Sequence, residues 1–146
     1  MRIALVAVGK VKQPGLRQSL DDYLGRIRRY ASVEELELKD APARQLCERF
    51  ERAIPARART IALEVEGRMF DSPAFAQVLG DAELSGVHTL AFLIGGADGL
   101  PPEVSARANQ RVSLSRLTLP HRLARLVLVE QLYRGFTIVR GEPYAH

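Results

Sequence analysis

Two runs in this chain, Ile3 to Val8 and Thr89 to Ile94, are almost unbroken in apolar residues, and each stops at glycine, at Gly9 and at Gly95-Gly96. Short continuous apolar runs suit strands buried on both faces rather than strands with one face in water. A sheet of such strands needs a layer of helices on each side, so the intervening sequence must supply amphipathic helices. It does. From Pro14 to Tyr30, Leu16, Leu20, Tyr23, Leu24 and Ile27 recur at three- and four-residue steps, which is helical spacing. The cluster Arg26, Arg28 and Arg29 closes that segment and suits a helix C-terminus.

The remaining segments continue the alternation. Val33 to Leu38 reads as a second strand, Ala43 to Ile54 as a polar helix, and Thr60 to Val65 as a third strand stopped by Gly67. Asp71-Ser72-Pro73 offers a capping carboxylate followed by proline at an early helical position, predicting a helix to about Leu84 ended by Gly86. A short helix from Pro101 or Pro102 to about Ala108, a strand from Arg111 to Leu114 and a last helix from His121 to Gly135 complete the chain. Strands alternating with helices predict an α/β fold, a mostly parallel sheet covered on both faces. The length of 146 residues and the 47% hydrophobic content predict one domain over residues 1–146.

Composition removes several function classes. The single cysteine, Cys47, allows neither an intrachain disulfide nor a cysteine metal cluster; it reads as a buried bystander thiol, and no metal is expected. The N-terminal apolar run is too short for a signal peptide or a membrane span, which predicts a cytoplasmic protein without membrane attachment. No G-x-G-x-x-G opens a helix and no G-x-x-x-x-G-K-[ST] is present, which disfavours dinucleotide enzymes and P-loop ATPases. The net charge of +4 is compatible with an anionic partner without requiring one.

Three constellations could carry chemistry. Glycines follow two strands, in Val65-Glu66-Gly67 and in Ile94-Gly95-Gly96-Ala97-Asp98-Gly99, where open parallel sheets bind ligands; they also serve as ordinary turns. In Leu114 to Arg125, His121 opens a helix, where the dipole disfavours its protonation, and Arg122 and Arg125 share one helix face. A capping histidine with two solvated arginines accounts for the same pattern. The tail Glu142-Pro143-Tyr144-Ala145-His146 places an aromatic ring and an imidazole on a chain end that could close over a base.

The segments IALVAVGK, LIGGADGL, LSRLTLPHRLARLVLVEQLYRGFTI and EPYAH resemble, over essentially the whole chain, the family of bacterial ribosomal RNA large-subunit methyltransferase H within the SPOUT superfamily. The resemblance is weakest from Lys39 to Arg59. It implies a C-terminal trefoil knot, which chain-topology rules would have excluded. It also implies S-adenosylmethionine as cofactor, held by Leu63, Gly95 and the loop Leu114, Ser115, Arg116, Leu117, Thr118 and Leu119.

The implied reaction is methylation of N3 of a pseudouridine in 23S ribosomal RNA, on the ribosome and by a homodimer. Arg125 and Arg122 would stabilise the uracil anion and contact RNA, while His121, Tyr144 and His146 would contact the base or move its proton. Family tails read PYH before a charged residue; here Ala145 follows Tyr144 and the histidine is displaced to His146. The dimer is expected to use the last helix around Leu126, Val129 and Tyr133, since that helix carries more than one apolar stripe. Two other readings keep the fold, a non-catalytic RNA-binding assembly factor and a transfer RNA methyltransferase.

Overall fold

A computed structural model describes residues 1–144. Five strands and five helices alternate: β1 (Arg2–Val8), α1 (Pro14–Ile27), β2 (Ser32–Leu38), α2 (Ala43–Ala53), β3 (Arg59–Met69), α3 (Ser72–Leu84), β4 (Thr89–Ile94), α4 (Pro102–Arg107), β5 (Gln110–Ser113) and α5 (His121–Arg140). The strands pair in the order β2-β1-β4-β3-β5, and every pairing is parallel. Strand periodicity divides β1 between two cores. Ile3, Leu5 and Ala7 face α1, α3 and α5, while Ala4, Val6 and Val8 face α2 and α4. The expected parallel sheet with helices on both faces is therefore observed.

Two elements run further than their glycines suggest. β3 does not stop at Gly67 but continues to Met69. Leu63 and Arg68 both stand opposite Val112 on β5, so residues 64–67 bulge out between them. Gly67 lies so close to β5 that a Cβ would meet the Arg111 and Val112 backbone at 2.8 Å. α5 likewise passes Gly135 and ends only at Gly141, which is left-handed. A Cβ on Gly135 would lie 2.7 Å from Leu79 Cδ1, so this glycine serves helix packing against α3 rather than termination. At α1 the reverse holds: Ile27 ends the helix and Arg28 to Tyr30 form a turn. Asp71 caps α3 as expected, accepting from the Ala74 amide at 2.9 Å. Cys47 is half-buried on α2 rather than fully enclosed, and burial pushes its thiol pKa up.

α5 is held to the sheet edge by charge as well as by its apolar residues. Arg125 is 0% exposed. Its Nη1 donates to Glu35 Oε2 at 2.7 Å and to Glu37 Oε2 at 2.5 Å, and its Nη2 donates to the Gly9 carbonyl at 3.0 Å. Arg17 of α1 donates to Glu35 Oε1 at 2.7 Å, and Glu37 Oε2 also accepts the Val11 amide at 3.1 Å. One buried guanidinium thereby joins α5, β2, α1 through Glu35, and the turn after β1.

Removing one partner of a buried ion pair leaves the other uncompensated, whereas replacing the whole set with apolar groups can be nearly neutral. Arg125→Met should lower stability by about 3–5 kcal/mol, read as a reduced urea midpoint. The quadruple variant Arg17→Met, Glu35→Leu, Glu37→Met, Arg125→Met, which removes the whole set, should recover most of that loss. Equal midpoints for wild type and Arg125→Met would mean that the network contributes nothing.

Candidate active site

In a parallel sheet all carboxyl ends lie along one edge, and a ligand site is expected there. The chain path builds it. β5 is the outermost strand, yet α5 begins beside the turn after β1, where a Cβ on Gly9 would lie 3.5 Å from His121 Cε1. The loop from Leu114 to Pro120 must therefore cross the carboxyl ends of β3 and β4. The resulting cleft is open on one side and has about 790 Å³ of empty space with its solvent-filled mouth included.

Leu63, Glu64 and Val65 line it from β3, Ile94 to Ala97 and Gly99 from the end of β4, Leu114, Ser115 and Leu117 to Leu119 from the crossing loop, and His121 and Ala124 from α5. Seven of the eight expected cofactor residues thus share one cleft. Arg116 is the exception: its side chain spans the outside and donates to the Val65 carbonyl, tying the loop to the bulge of β3. Of the amides from Ser115 to Leu119, only that of Leu117 donates to a described protein group, Ser115 Oγ at 2.9 Å. The others are free to meet a ligand. Leu117 itself is 76% exposed at the rim.

Gly95 needs its missing side chain for a different reason from the expected close approach to a ligand. A Cβ there would stand 2.3 Å from the Gly99 carbonyl carbon and 2.5 Å from the Leu100 amide nitrogen. Gly95 therefore permits the tight turn that folds residues 95–100 back on themselves. A larger residue would collide with this loop before touching any ligand.

Only two titratable side chains line the cleft among the described residues, Glu64 and His121. The His121 pKa is lowered, first by burial and then by the charges of Arg125 and Arg122, so its imidazole is neutral at neutral pH. Its Nδ1 is buried without a hydrogen-bond partner. Glu64 escaped the sequence reading, because nothing marked residues 64–67 as a bulge turned toward the carboxyl edge. The one hint was Gly67, taken there as a strand end.

The other expected site residues lie elsewhere. Arg125, expected to hold a uracil anion, is fully buried and engaged with Glu35, Glu37 and the Gly9 carbonyl, so no face of its guanidinium opens to the cleft. β2 accounts for this placement, because its two inward carboxylates demand a cation. Arg122 is exposed beside His121 and does not line the cleft. Tyr144 donates to Glu130 Oε2 at 2.8 Å and packs edge-on against Tyr133 with ring centroids 4.6 Å apart. Glu130 is about 14 Å along α5 from His121 at the helical rise per residue. Burial and Glu130 together raise the Tyr144 pKa, so the docked phenol stays protonated. His146 lies outside the described residues.

Val129 and Tyr133, expected at a dimer interface, are buried within the chain's own core. The apolar residues that α5 leaves exposed are Leu123 and Val127, with Leu126 half-buried. No helix among the described residues is long and apolar enough to cross a membrane.

Comparison with known proteins agrees with this architecture. A family model described as a predicted SPOUT methyltransferase matches residues 1–146. The ribosomal RNA large subunit methyltransferase H of Sorangium cellulosum is 55% identical, with the whole of both chains covered. The protein of the same name from Geobacter sp. strain M21 is 40% identical, over 100% of this chain and 99% of its own. Among solved structures, a probable methylase family protein from Haemophilus influenzae superposes with a TM-score of 0.59 at 12% identity, over 96% of this chain and 67% of that one. An AdoMet-bound rRNA methyltransferase from Sinorhizobium meliloti gives 0.50 at 15% identity, over 91% and 55%. At those identities the structural likeness speaks for the fold alone. The match of the family model from end to end, together with relatives this similar over their full length, shows that the chain belongs to the SPOUT methyltransferase family.

Proposed function

We propose that this chain methylates N3 of a pseudouridine in large-subunit ribosomal RNA, using S-adenosylmethionine bound in the carboxyl-edge cleft. The observation that carries the reading is the full-length 55% identity to a relative named for that RNA. The cleft supports it chemically. Its free loop amides suit a ligand held through backbone groups, and its one carboxylate and neutral imidazole suit a cationic one. The crossing of the Leu114 to Pro120 loop over β3 and β4 supports the trefoil thread that the family resemblance implies.

When bound, the cofactor supplies an electrophilic methyl group on a positively charged sulfur. Glu64 offsets that charge. His121 adds none of its own, and its neutral imidazole, which lines the cleft, is the group we assign to accept the proton that leaves N3 when the methyl group passes from sulfur to nitrogen. Arg122, exposed beside it, meets the RNA. Arg125 acts on the reaction only by fixing the start of α5 and depressing the His121 pKa. In this reading two chains pair through Leu123, Leu126 and Val127, and a Tyr144 that takes part in transfer belongs to the second copy.

Three measurements test these statements. Mass mapping of ribosomal RNA from cells lacking the protein should show the loss of one methyl group from a uracil-type nucleotide. An unchanged ribosomal map with a methyl missing from transfer RNA would replace the substrate. Sedimentation at micromolar concentration should give a dimer, and Leu123→Glu with Val127→Glu a monomer; a monomeric, fully active wild type would overturn the pairing.

The pH dependence has a definite sign. Because the His121 pKa lies below its ordinary 6.5, the cleft gains a positive charge only as pH falls below that value. Calorimetry from pH 7.5 to 5 should show S-adenosylmethionine affinity falling by up to about tenfold, ~1.4 kcal/mol. His121→Gln should flatten the curve, and an equally steep curve in that variant would assign the titration to another group.

A further inference from the structure

All three lysines of this chain stand at one corner of the molecule, although arginine supplies the rest of its 21 basic side chains. Lys10 and Lys12 lie in the turn after β1, and Lys39 directly follows β2. The two strands are parallel neighbours with Val8 opposite Leu38, and the Gly9 amide donates to the Leu38 carbonyl at 2.7 Å. Gly9 and Lys39 are thus successive in register, on strands about 4.8 Å apart. All three lysines are exposed, and none pairs with a carboxylate among the described residues.

The backbone beneath them is fixed at several points. Gly9 takes a left-handed φ of 87°, and its carbonyl accepts from the buried Arg125. The Val11 amide donates to Glu37 while its side chain is 2% exposed, and the Lys39 carbonyl accepts from Arg49 at 2.5 Å. Of the acids nearby, Glu37 is taken up by Arg125 and Val11, and only Asp40 remains at the surface, accepting the Ala41 amide at 2.8 Å. The corner borders the cleft at Gly9, where a Cβ would lie 3.5 Å from His121 Cε1, beside exposed Arg122.

We infer that Lys10, Lys12 and Lys39 form a phosphate-binding corner that seats the RNA backbone flanking the target nucleotide. The inference rests on the RNA-methylation reading and adds to it the surface that presents the substrate. Ammonium groups on flexible stems over a fixed backbone hold phosphates without reading sequence. A basic corner beside the cleft would fix which nucleotide reaches His121 by its distance along the strand.

The test is steady-state methylation of ribosomes with labelled S-adenosylmethionine over a series of salt concentrations. It compares wild type, Lys10→Ala/Lys12→Ala/Lys39→Ala, and Arg28→Gln/Arg57→Gln/Arg59→Gln. The arginine triple removes equal charge at the opposite, amino end of the strands. The lysine triple should raise KM for ribosomes at least about tenfold and make the slope of log affinity against log salt shallower by about 2 to 3, one released counterion or slightly less per phosphate. Its S-adenosylmethionine affinity by calorimetry should stay within about twofold, which also reports an intact fold. An unchanged KM and slope in the lysine triple, or an equal change in the arginine triple, would overturn the corner while leaving the methylation reading standing. A wild type that transfers no methyl group to ribosomal RNA would overturn that reading, and the corner with it.

Discussion

The placement of α5 against the sheet, and with it one wall of the carboxyl-edge cleft, depends on a buried cation. β2 is an edge strand, and its alternation turns Val33, Glu35 and Glu37 toward the layer of α1 and α5. Two carboxylates on that face cannot stay uncompensated at low dielectric, and Arg125 meets both while also donating to the Gly9 carbonyl. The desolvation of three charges is offset only if each hydrogen bond is kept, so the network tolerates little movement of α5 against the sheet edge. Since His121 lies one turn before Arg125 on the same helix, a constraint on the arginine is also a constraint on the imidazole.

The same geometry accounts for the position of the cleft. β5 sits outermost, but its chain must return to the middle of the sheet to begin α5, so the connecting loop is stretched across the carboxyl ends of β3 and β4. Of the amides from Ser115 to Leu119 only that of Leu117 has an acceptor among the described residues, Ser115 Oγ, so the loop keeps backbone donors unspent. Residues 64–67 rise out of β3 to meet it, and Arg116 fastens the two together. Both walls of the cleft are therefore products of strand order.

The strands and helices were legible because their signals are local: unbroken apolar runs for β1 and β4, and Asp71 with Pro73 for α3. Boundaries failed where a glycine had two possible meanings. Gly67 and Gly135 look like terminators in sequence, yet each exists because another element passes too close for a side chain, which only the fold reveals. The resemblance groups Leu63, Gly95 and the Leu114 to Leu119 loop, and all but Arg116 line one cleft; the lowered pKa of His121 was expected from its helix start, whereas burial and the charges of Arg125 and Arg122 cause it. Arg125 was misassigned because its spacing from His121 was considered without its partners. The clue was present in β2, where period two puts Glu35 and Glu37 on the inward face of Val33. Glu64 carried no such clue, since its exposure to the cleft depends on a bulge formed against β5.

In the proposed reading, the charge pattern would separate two ligands of opposite sign over a short distance. Inside the cleft stand one carboxylate and an imidazole kept neutral, which favours a cation; at its border stand Lys10, Lys12, Lys39 and Arg122, which favour an anion. Exposed charges are screened over about 8 Å at physiological salt, whereas those in a partly enclosed cleft are screened far less. The lysines can therefore attract a polyanion without adding much repulsion inside. Arg125 could have upset this division, being a permanent cation one helical turn from His121. Its pairing with Glu35 and Glu37, which Arg17 shares, instead closes a charge-balanced cluster behind the helix start, so the buried guanidinium lowers the imidazole pKa while its own charge is compensated.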